Sequence, residues 1–161
     1  FTNNFEYKGI DLSIFFQWSY GNDIMNANRL FFESGNNKSR ELNQYASYAN
    51  RWTPENPTSD IPSATDSSSN RVFSSRIIED GSFLRLKNVT LGYTFPAQMT
   101  RKWKIDKARV YVAAQNLWTW TSYSGYDPEV SVRSSSALTP GLDYSSYPRA
   151  YSISFGVSLG F

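Results

Sequence analysis

Hydrophobic and polar residues alternate without a break over the final stretch of the chain, residues 151–161. The odd-numbered positions are all apolar: Tyr151, Ile153, Phe155, Val157, Leu159 and Phe161. The even-numbered positions between them, which have the opposite parity, are all serine or glycine. Successive side chains of a β-strand point to opposite faces, so this pattern predicts a strand with one apolar and one small polar face. Strands that cross a membrane need about 9–11 residues of this kind, apolar toward lipid. We therefore predict a transmembrane strand that faces lipid through these six residues.

Three earlier stretches also show strand patterns, at about residues 5–20, 82–95 and 108–121. In the third stretch Leu117 breaks the alternation, which predicts a β-bulge near Gln115-Asn116. In the second, Arg85 and Lys87 share the parity of the apolar residues. A charge at the membrane midplane costs about 2–4 kcal/mol, so we expect both side chains near the outer interface, above the hydrocarbon.

Two long polar connections, residues 21–81 and 122–150, alternate with one short connection. A short helix is predicted over Asp23–Phe32. In an antiparallel meander the two long connections leave one side, which is the layout of an outer-membrane β-barrel with long extracellular loops. The predicted fold class is all-β, an antiparallel transmembrane β-barrel, and Phe161 ends near the periplasmic interface. A barrel needs about eight strands, so we interpret residues 1–161 as one segment of a longer polypeptide.

The amino-acid composition excludes several kinds of site. The chain has 161 residues with no cysteine and no histidine, which excludes disulfides, thiolate or imidazole catalysis and the usual zinc ligands. The net charge of +2 indicates no nucleic-acid partner. Every apolar run is shorter than the ~18 residues that a membrane-spanning helix needs. We expect no catalytic residue, no metal site and no cofactor.

Two pairs of carboxylates, Glu79/Asp80 and Asp127/Glu129, raise the alternative of a glycosidase, which uses two such groups about 5–9.5 Å apart. Neighbouring carboxylates in polar loops are more commonly solvated, and Asp-Pro at 127–128 is typical of a turn. Asn22-Asp23 would suit a calcium ion, but no loop has EF-hand spacing. The sequence favours a non-enzyme.

Aromatic residues in the long connections are candidate contacts for a ligand or a partner protein. They are Trp52, Tyr123, Tyr126, Tyr144 and Tyr147. Tyrosine-rich and serine-rich loops suit both sugar and protein contacts, and the pattern does not separate the two. Trp52 would equally well anchor its own loop.

The chain resembles the C-terminal end of SusC/RagA-type TonB-linked outer-membrane proteins of Bacteroidota. The matching segments span nearly the whole chain in family order: FEYKGIDLS at 5–13, SYGND at 19–23, RWTPENP at 51–57, GSFLRLKNVTLGY at 81–93, RVYVAAQNL at 109–117, GYDPE at 125–129 and the terminal Phe161.

The resemblance implies a barrel of about 22 strands with a plugged lumen, of which this chain supplies about the last four strands. It implies an outer-membrane importer of glycan or peptide fragments. The implied partners are the N-terminal strands and plug of the same barrel, a SusD-like lipoprotein lid, TonB through the N-terminal part, and outer-membrane lipid. The terminal aromatic strand is implied to be the mark read during barrel assembly. The cargo is not indicated.

A soluble carbohydrate-binding β-sandwich is the alternative from a different class. In that fold the apolar face that ends at Phe161 would be a protein core, covered by a second sheet. It predicts a chain that is monomeric in water, whereas an apolar face meant for lipid predicts aggregation outside a membrane.

Overall fold

The computed structural model describes residues 1–34, 43–64, 73–129 and 140–161. In these ranges the elements are β1 (Thr2–Tyr7), β2 (Ile10–Ser19), β3 (Asp23–Asn26), α1 (Ala27–Phe32), β4 (Ile78–Asp80), β5 (Phe83–Thr94), α2 (Ala97–Thr100), β6 (Lys107–Thr121), β7 (Leu142–Asp143) and β8 (Ser152–Gly160), with short 3₁₀ turns at Ala46–Asn50, Ser75–Ile77 and Arg101–Trp103.

The chain divides into two compact units. The sheet unit comprises Phe1–Tyr20, Phe83–Thr121 and Arg149–Phe161, and the loop unit comprises Gly21–Ser82 and Ser122–Pro148. The sheet unit is one antiparallel five-stranded sheet in the order β1-β2-β5-β6-β8. Strands β5, β6 and β8 agree within one residue at each end with the ranges 82–95, 108–121 and 151–161 predicted from the alternation.

The single strand predicted at about residues 5–20 was wrong. The chain reverses at Lys8-Gly9 and forms the hairpin β1–β2, in which Tyr7 pairs with Ile10. Both turn residues have positive φ, 47° at Lys8 and 85° at Gly9. This is the backbone that a two-residue hairpin turn requires, and glycine adopts it readily. The sheet therefore has five strands in the described residues rather than four.

Substitution of Gly9 by alanine is expected to destabilise the hairpin for two reasons. A Cβ here would lie 2.6 Å from the carbonyl oxygen of Thr94, and the positive φ disfavours any Cβ. Gly21→Ala is the control, because Gly21 has φ +79° but a Cβ there would meet nothing within 4 Å. We expect Gly9→Ala to cost about 1–3 kcal/mol more than the control in unfolding of the full-length protein. Equal costs would contradict the close approach.

The loop unit contains structure that the sequence did not predict. The long connections, expected to be loops over 21–81 and 122–150, hold a second sheet in the order β4-β3-β7, in which β3 and β7 are parallel. The helix predicted over Asp23–Phe32 begins only at Ala27, since its first four residues form β3. Parts of both predicted loops, at 35–42, 65–72 and 130–139, lie outside the described residues.

Buried aliphatic side chains form the core of the loop unit. Ile24, Leu30, Ile61 and Ile77 are each at most 6% exposed. They come from β3, α1 and the segments before β4, so the apolar positions of a mostly polar stretch are gathered at one place. None of the helices in the described part of the chain is long and apolar enough to cross a membrane.

Irregularities in β5 and β6 set which side chains share a face. The register with β2 passes from Phe15↔Asn88 to Phe16↔Leu86, so Lys87 is an extra residue of β5. Opposite it, Asn116 and Leu117 lie between the pairs Leu86↔Trp118 and Asn88↔Gln115. The bulge predicted near Gln115-Asn116 is confirmed, and Asn116 has φ 52°.

The extra residue at Lys87 reverses the parity of β5. Arg85 pairs laterally with Gln17 and Thr119, away from the apolar side chains, and is 2% exposed. The expectation that Arg85 shares the lipid side with Val89 and Leu91 was therefore wrong. The sequence showed the parity but not the bulge, because the insertion is visible only through pairing with neighbouring strands.

Candidate functional site

One face of the five-stranded sheet is almost entirely apolar, although Asn3 of the edge strand β1 pairs with Ile14 on it; we call it the apolar face. Register pairing joins its rows across the strands: Phe5–Leu12–Leu91–Val112–Phe155, Tyr7–Ile10–Tyr93–Val110–Val157 and, beyond the bulge, Phe16–Leu86–Trp118 and Trp18–Leu84–Trp120. The parity change at Lys87 brings Leu84 and Leu86 into these rows. Without this extra residue, Arg85 of β5 would lie on the apolar face and interrupt it.

The side chains of the apolar face are exposed or half-exposed. Exposed fractions along the last strand and its flanks are 72% at Tyr151, 52% at Ile153, 83% at Phe155, 68% at Val157, 50% at Leu159 and 85% at Phe161. Trp18, Trp118 and Trp120 are also exposed. Such a continuous apolar surface marks contact with a membrane or a partner. The six residues predicted from the alternation all belong to it.

The opposite face is mainly polar, with a few aromatic side chains such as Phe15 among its small residues, and it carries an ion pair between β2 and β6. Arg109 of β6 donates from Nε to Asp11 Oδ1 at 3.0 Å and from Nη2 to Asp11 Oδ2 at 2.5 Å. Gly92 of β5 lies between the two strands, and a Cβ there would collide with both side chains. The glycine therefore lets a bidentate pair join β2 to β6 across the strand between them.

Tyr111 lies beside this ion pair on the same face. The Arg109 guanidinium is 5.1 Å from the centre of its ring, and the ring covers Gly156 of β8. A ring over a strand glycine fills the space that a missing side chain leaves. The small residues of β8 thus accommodate large side chains of β6 rather than leaving the face unpacked.

A charged cluster in the loop unit joins α1 to β4. Glu33 accepts from Arg76 at 2.5 Å and from Arg29 at 3.1 Å, and its side chain is 4% exposed. Arg29 also contacts Glu79 at 3.4 Å. Two arginines and two glutamates compensate one another, so the cluster is a structural anchor for two segments that are distant in sequence.

Glu79 also holds the second long connection. It accepts from the amide of Ser124 at 2.9 Å and from its hydroxyl at 2.8 Å, and from Asn26 at 3.1 Å. Burial alone would raise the pKa of Glu79, but the bonds from Ser124 and Asn26 and the charge of Arg29 hold that pKa below its usual range. The Glu79 carboxylate is therefore ionised, and both of its oxygens accept these hydrogen bonds.

The neighbouring Asp80 is also held as an anion, because the Ser82 hydroxyl and amide lower the pKa of its carboxyl. A glycosidase acid needs a raised pKa, and neither member of the pair has one. In the other pair, Asp127 Oδ1 accepts from the amide of Glu129 at 2.9 Å, which is a turn contact. The first pair therefore lacks the raised pKa of a glycosidase acid, and the second pair forms the turn that its Asp-Pro sequence predicts.

Tyr123 is a buried support and not an exposed contact. It is 6% exposed and donates from its hydroxyl to Asp143 Oδ2 of β7 at 2.7 Å. Burial, then the bond to Asp143, raises the pKa of Tyr123, so the hydroxyl stays protonated. Its ring also lies against Gly125. The structure thus gives Tyr123 a place in the packing of the loop unit.

A concave site of about 560 Å³ lies elsewhere in the loop unit. We call it the tyrosine hollow; its lining includes Asn28, Gln44, Tyr45, Tyr126, Ser146 and Tyr147. Tyr126 is 71% and Tyr147 90% exposed. A second hollow of about 430 Å³ shares Tyr45 and Tyr126 and reaches Arg29 and Glu33. Together they form a concave surface of this unit that combines aromatic rings with polar groups.

Of the five aromatic contacts predicted from the sequence, the hollow brings together Tyr126 and Tyr147. Tyr144 packs on Phe31 with ring centres 5.0 Å apart. Trp52 is half-exposed and lies outside the lining, while its backbone amide bonds Ile61. Tyr45 was not among the predicted contacts; it reaches the hollow from a distant segment and packs against Phe32 in a tilted arrangement, with ring centres 5.2 Å apart.

Comparison with known proteins shows what the chain is similar to. No family model matches it. It is 36% identical to "TonB-dependent receptor P3" of Formosa agariphila over all of this chain and 16% of that protein. It is 29% identical to "TonB-dependent receptor SusC" of Bacteroides thetaiotaomicron over 99% of this chain and 14% of that protein. The chain thus spans about a sixth of the length of the curated relatives it matches.

The fold agrees with a solved structure, that of "the RagAB peptide transporter". The TM-score is 0.78 at 32% identity, over 97% of this chain and 16% of the solved chain. The names of these relatives are those of receptors and transporters, in agreement with the expectation that the chain is not an enzyme. On sequence and fold together, the chain belongs to the SusC/RagA-type TonB-linked outer-membrane proteins.

Proposed function

We propose that this chain forms the C-terminal part of the wall of a TonB-dependent outer-membrane importer of glycan or peptide fragments. The observation that carries the proposal is the apolar face. It extends across all five strands, and the extra residue at Lys87 keeps the charge of Arg85 off it. A lipid-facing wall requires such a surface, because each charge on it at the membrane midplane costs about 2–4 kcal/mol.

The opposite face would line the lumen. Its small residues leave room inside the barrel, and the Asp11–Arg109 pair joins strands where a plug would contact the wall. The edges of β1 and β8 would pair with further strands of the same polypeptide, since an open sheet edge is not stable in lipid.

The two long connections would lie on the outer side of the membrane. They leave the sheet at the same end of its strands, where Ser19 pairs with Phe83 and Phe83 with Thr121. There they would contact cargo and a SusD-like lipoprotein lid, the partner that the family implies. TonB would act through the N-terminal part of the protein.

Fractionation of the full-length protein tests this function. We expect it in the outer-membrane fraction, resistant to carbonate washing and released only by detergent, because the apolar face needs lipid. A periplasmic binding protein followed in the same gradients is the control. Recovery of the intact, folded protein in the soluble fraction without detergent would refute the proposal.

The soluble β-sandwich is not supported by the exposure of the apolar face. That fold needs a second sheet over the apolar side chains, and Phe155 and Val157 are 83% and 68% exposed. This exposure fits a surface that is covered by something outside this chain.

A further inference from the structure

The lining of the tyrosine hollow is uncharged throughout the described part of the chain. It combines aromatic side chains with side-chain amides and hydroxyls. Its volume of about 560 Å³ lies in the range of about 300–1,000 Å³ that ligand sites occupy. A site of this size with no charge on its walls selects for a ligand that carries none.

Two rings are presented to solvent at this hollow. Tyr126 and Tyr147 are 71% and 90% exposed, so neither ring contributes much to the packing of the unit. Tyr45 is held differently, against Phe32, and forms a fixed wall. Burial, then the neighbouring Tyr126 and Asp143, raises the pKa of Tyr45, so its hydroxyl remains a donor. Tyrosine offers an apolar ring face and a polar tip together.

Polar groups between the rings are held in place by the backbone. Asn28 accepts from the amide of Ser145 at 2.7 Å, and Gln44 donates to the carbonyl of Ser34 at 2.9 Å. Each side-chain amide has both donor and acceptor atoms, so each keeps hydrogen-bonding capacity beyond its bond to the backbone. The hydroxyl of Ser146 is buried without a hydrogen-bond partner among the described residues. A hydroxyl group bound in the hollow would supply one.

We propose that the tyrosine hollow binds an uncharged oligosaccharide. A pyranose ring has apolar C–H faces, which Tyr126 and Tyr147 would cover, and a rim of hydroxyls, which the amides and serines would bond. A peptide carries charged termini, and acidic glycans carry carboxylates or sulfates. The described lining of the tyrosine hollow offers neither an arginine nor a carboxylate to meet them, and Arg29 and Glu33 of the adjoining hollow are paired with each other. The inference rests on the proposed import function, which allows glycan or peptide fragments as cargo. Between these two classes, the hollow favours neutral glycans.

Isothermal titration of the full-length protein in detergent tests the inference. The neutral probes are maltohexaose, cellohexaose, xylohexaose and mannohexaose. The charged probes are hexagalacturonate and a tryptic digest of casein. We expect at least one neutral probe to bind, and Tyr126→Ala and Tyr147→Ala each to raise its Kd about tenfold or more, equivalent to about 1.4 kcal/mol. Tyr20→Ala is the matched control, because Tyr20 is 91% exposed and lies outside the lining.

Three results would overturn the inference: binding of only the charged probes, binding of no probe, and neutral-sugar binding that both tyrosine variants leave unchanged. Circular dichroism of each variant should match the wild type, since both rings are exposed. Failure here is distinguishable from failure of the import function. A protein that stays in the outer membrane and takes up labelled peptide, but binds none of the neutral sugars, would refute the sugar site alone.

Discussion

Phe155→Arg should prevent accumulation of the folded protein in the outer membrane. Phe155 is 83% exposed near the middle of β8, and Val112 pairs with it on the apolar face. An arginine on the lipid side near the midplane costs about 2–4 kcal/mol, and loss of the phenylalanine removes about 1.5–3 kcal/mol of apolar burial in lipid. The sum is comparable with much of the stability of an ordinary domain.

The measurement is the amount of heat-modifiable, folded protein in purified outer membranes. Ser154→Arg is the control for the face, because Ser154 is adjacent in β8 and lies on the opposite side. Phe155→Leu is the control for the loss of the ring. We expect Ser154→Arg and Phe155→Leu to keep most of the folded protein. If Ser154→Arg fails and Phe155→Arg does not, the lipid and lumen sides have been assigned the wrong way round.

The alternation of residues predicts these faces only where a strand keeps its parity. Along β8 every residue obeys it, and the apolar set read from the sequence lies on one face of the sheet, where its side chains are exposed. In β5 the odd- and even-numbered positions exchange faces at Lys87, and no residue type at this position signals the exchange. The insertion follows from how β2 and β6 pair with β5. Pairing is a tertiary property, so Arg85 was assigned to the wrong side.

The hairpin at Lys8-Gly9 was missed for another reason. Most of the apolar residues from Ile10 to Tyr20 are at even-numbered positions, whereas Phe5 and Tyr7 are at odd-numbered ones, so the alternation shifts by one residue at the turn. The long even-numbered series dominates the pattern, and the turn is marked by this shift together with Gly9, which has a positive φ. A glycine after a polar residue inside a strand pattern is a recognisable hairpin signal.

The tyrosine hollow was predictable only in part. Exposed tyrosines in a polar loop suggested contacts, which holds for Tyr126 and Tyr147 as residues of the lining. Nothing local distinguishes them from Tyr123, which is buried against Asp143. That difference arises from β3 and β7, which pair in parallel across a long stretch of sequence. Non-local pairing of this kind leaves no periodic signal in either segment.

Glu33→Ala should unfold the loop unit locally while the sheet unit stays intact. Glu33 is 3% exposed and compensates Arg76 at 2.5 Å and Arg29 at 3.1 Å. Removal of one partner from a buried ion pair costs about 3–5 kcal/mol, because the remaining charges are buried without compensation. The bond from Ser47 to Glu33 at 2.7 Å would be lost as well, and with it an attachment of the Ala46–Asn50 turn.

Hydrogen exchange of the full-length protein measures this effect by segment. We expect amides of α1 and β4 to exchange about 100-fold faster or more, since every 1.4 kcal/mol is a factor of ten, while amides of β5 and β6 are unchanged. Glu55→Ala is the matched control, because Glu55 is an exposed glutamate of the same unit. Exchange that is equally slow in both variants would show that the cluster does not hold the unit together.

The double variant Glu33→Ala/Arg76→Ala separates charge compensation from packing. When both partners of a buried pair are removed, no isolated charge remains between them, so the double variant should be more stable than Glu33→Ala alone. Arg29 keeps Glu79 as its partner at 3.4 Å, which limits the remaining cost. A double variant less stable than either single one would mean that the side chains stabilise the unit through their contacts rather than through compensation of charge. The same cluster holds the segments that carry Asn28 and Tyr45. Its loss should therefore also lower the affinity of the tyrosine hollow for a ligand.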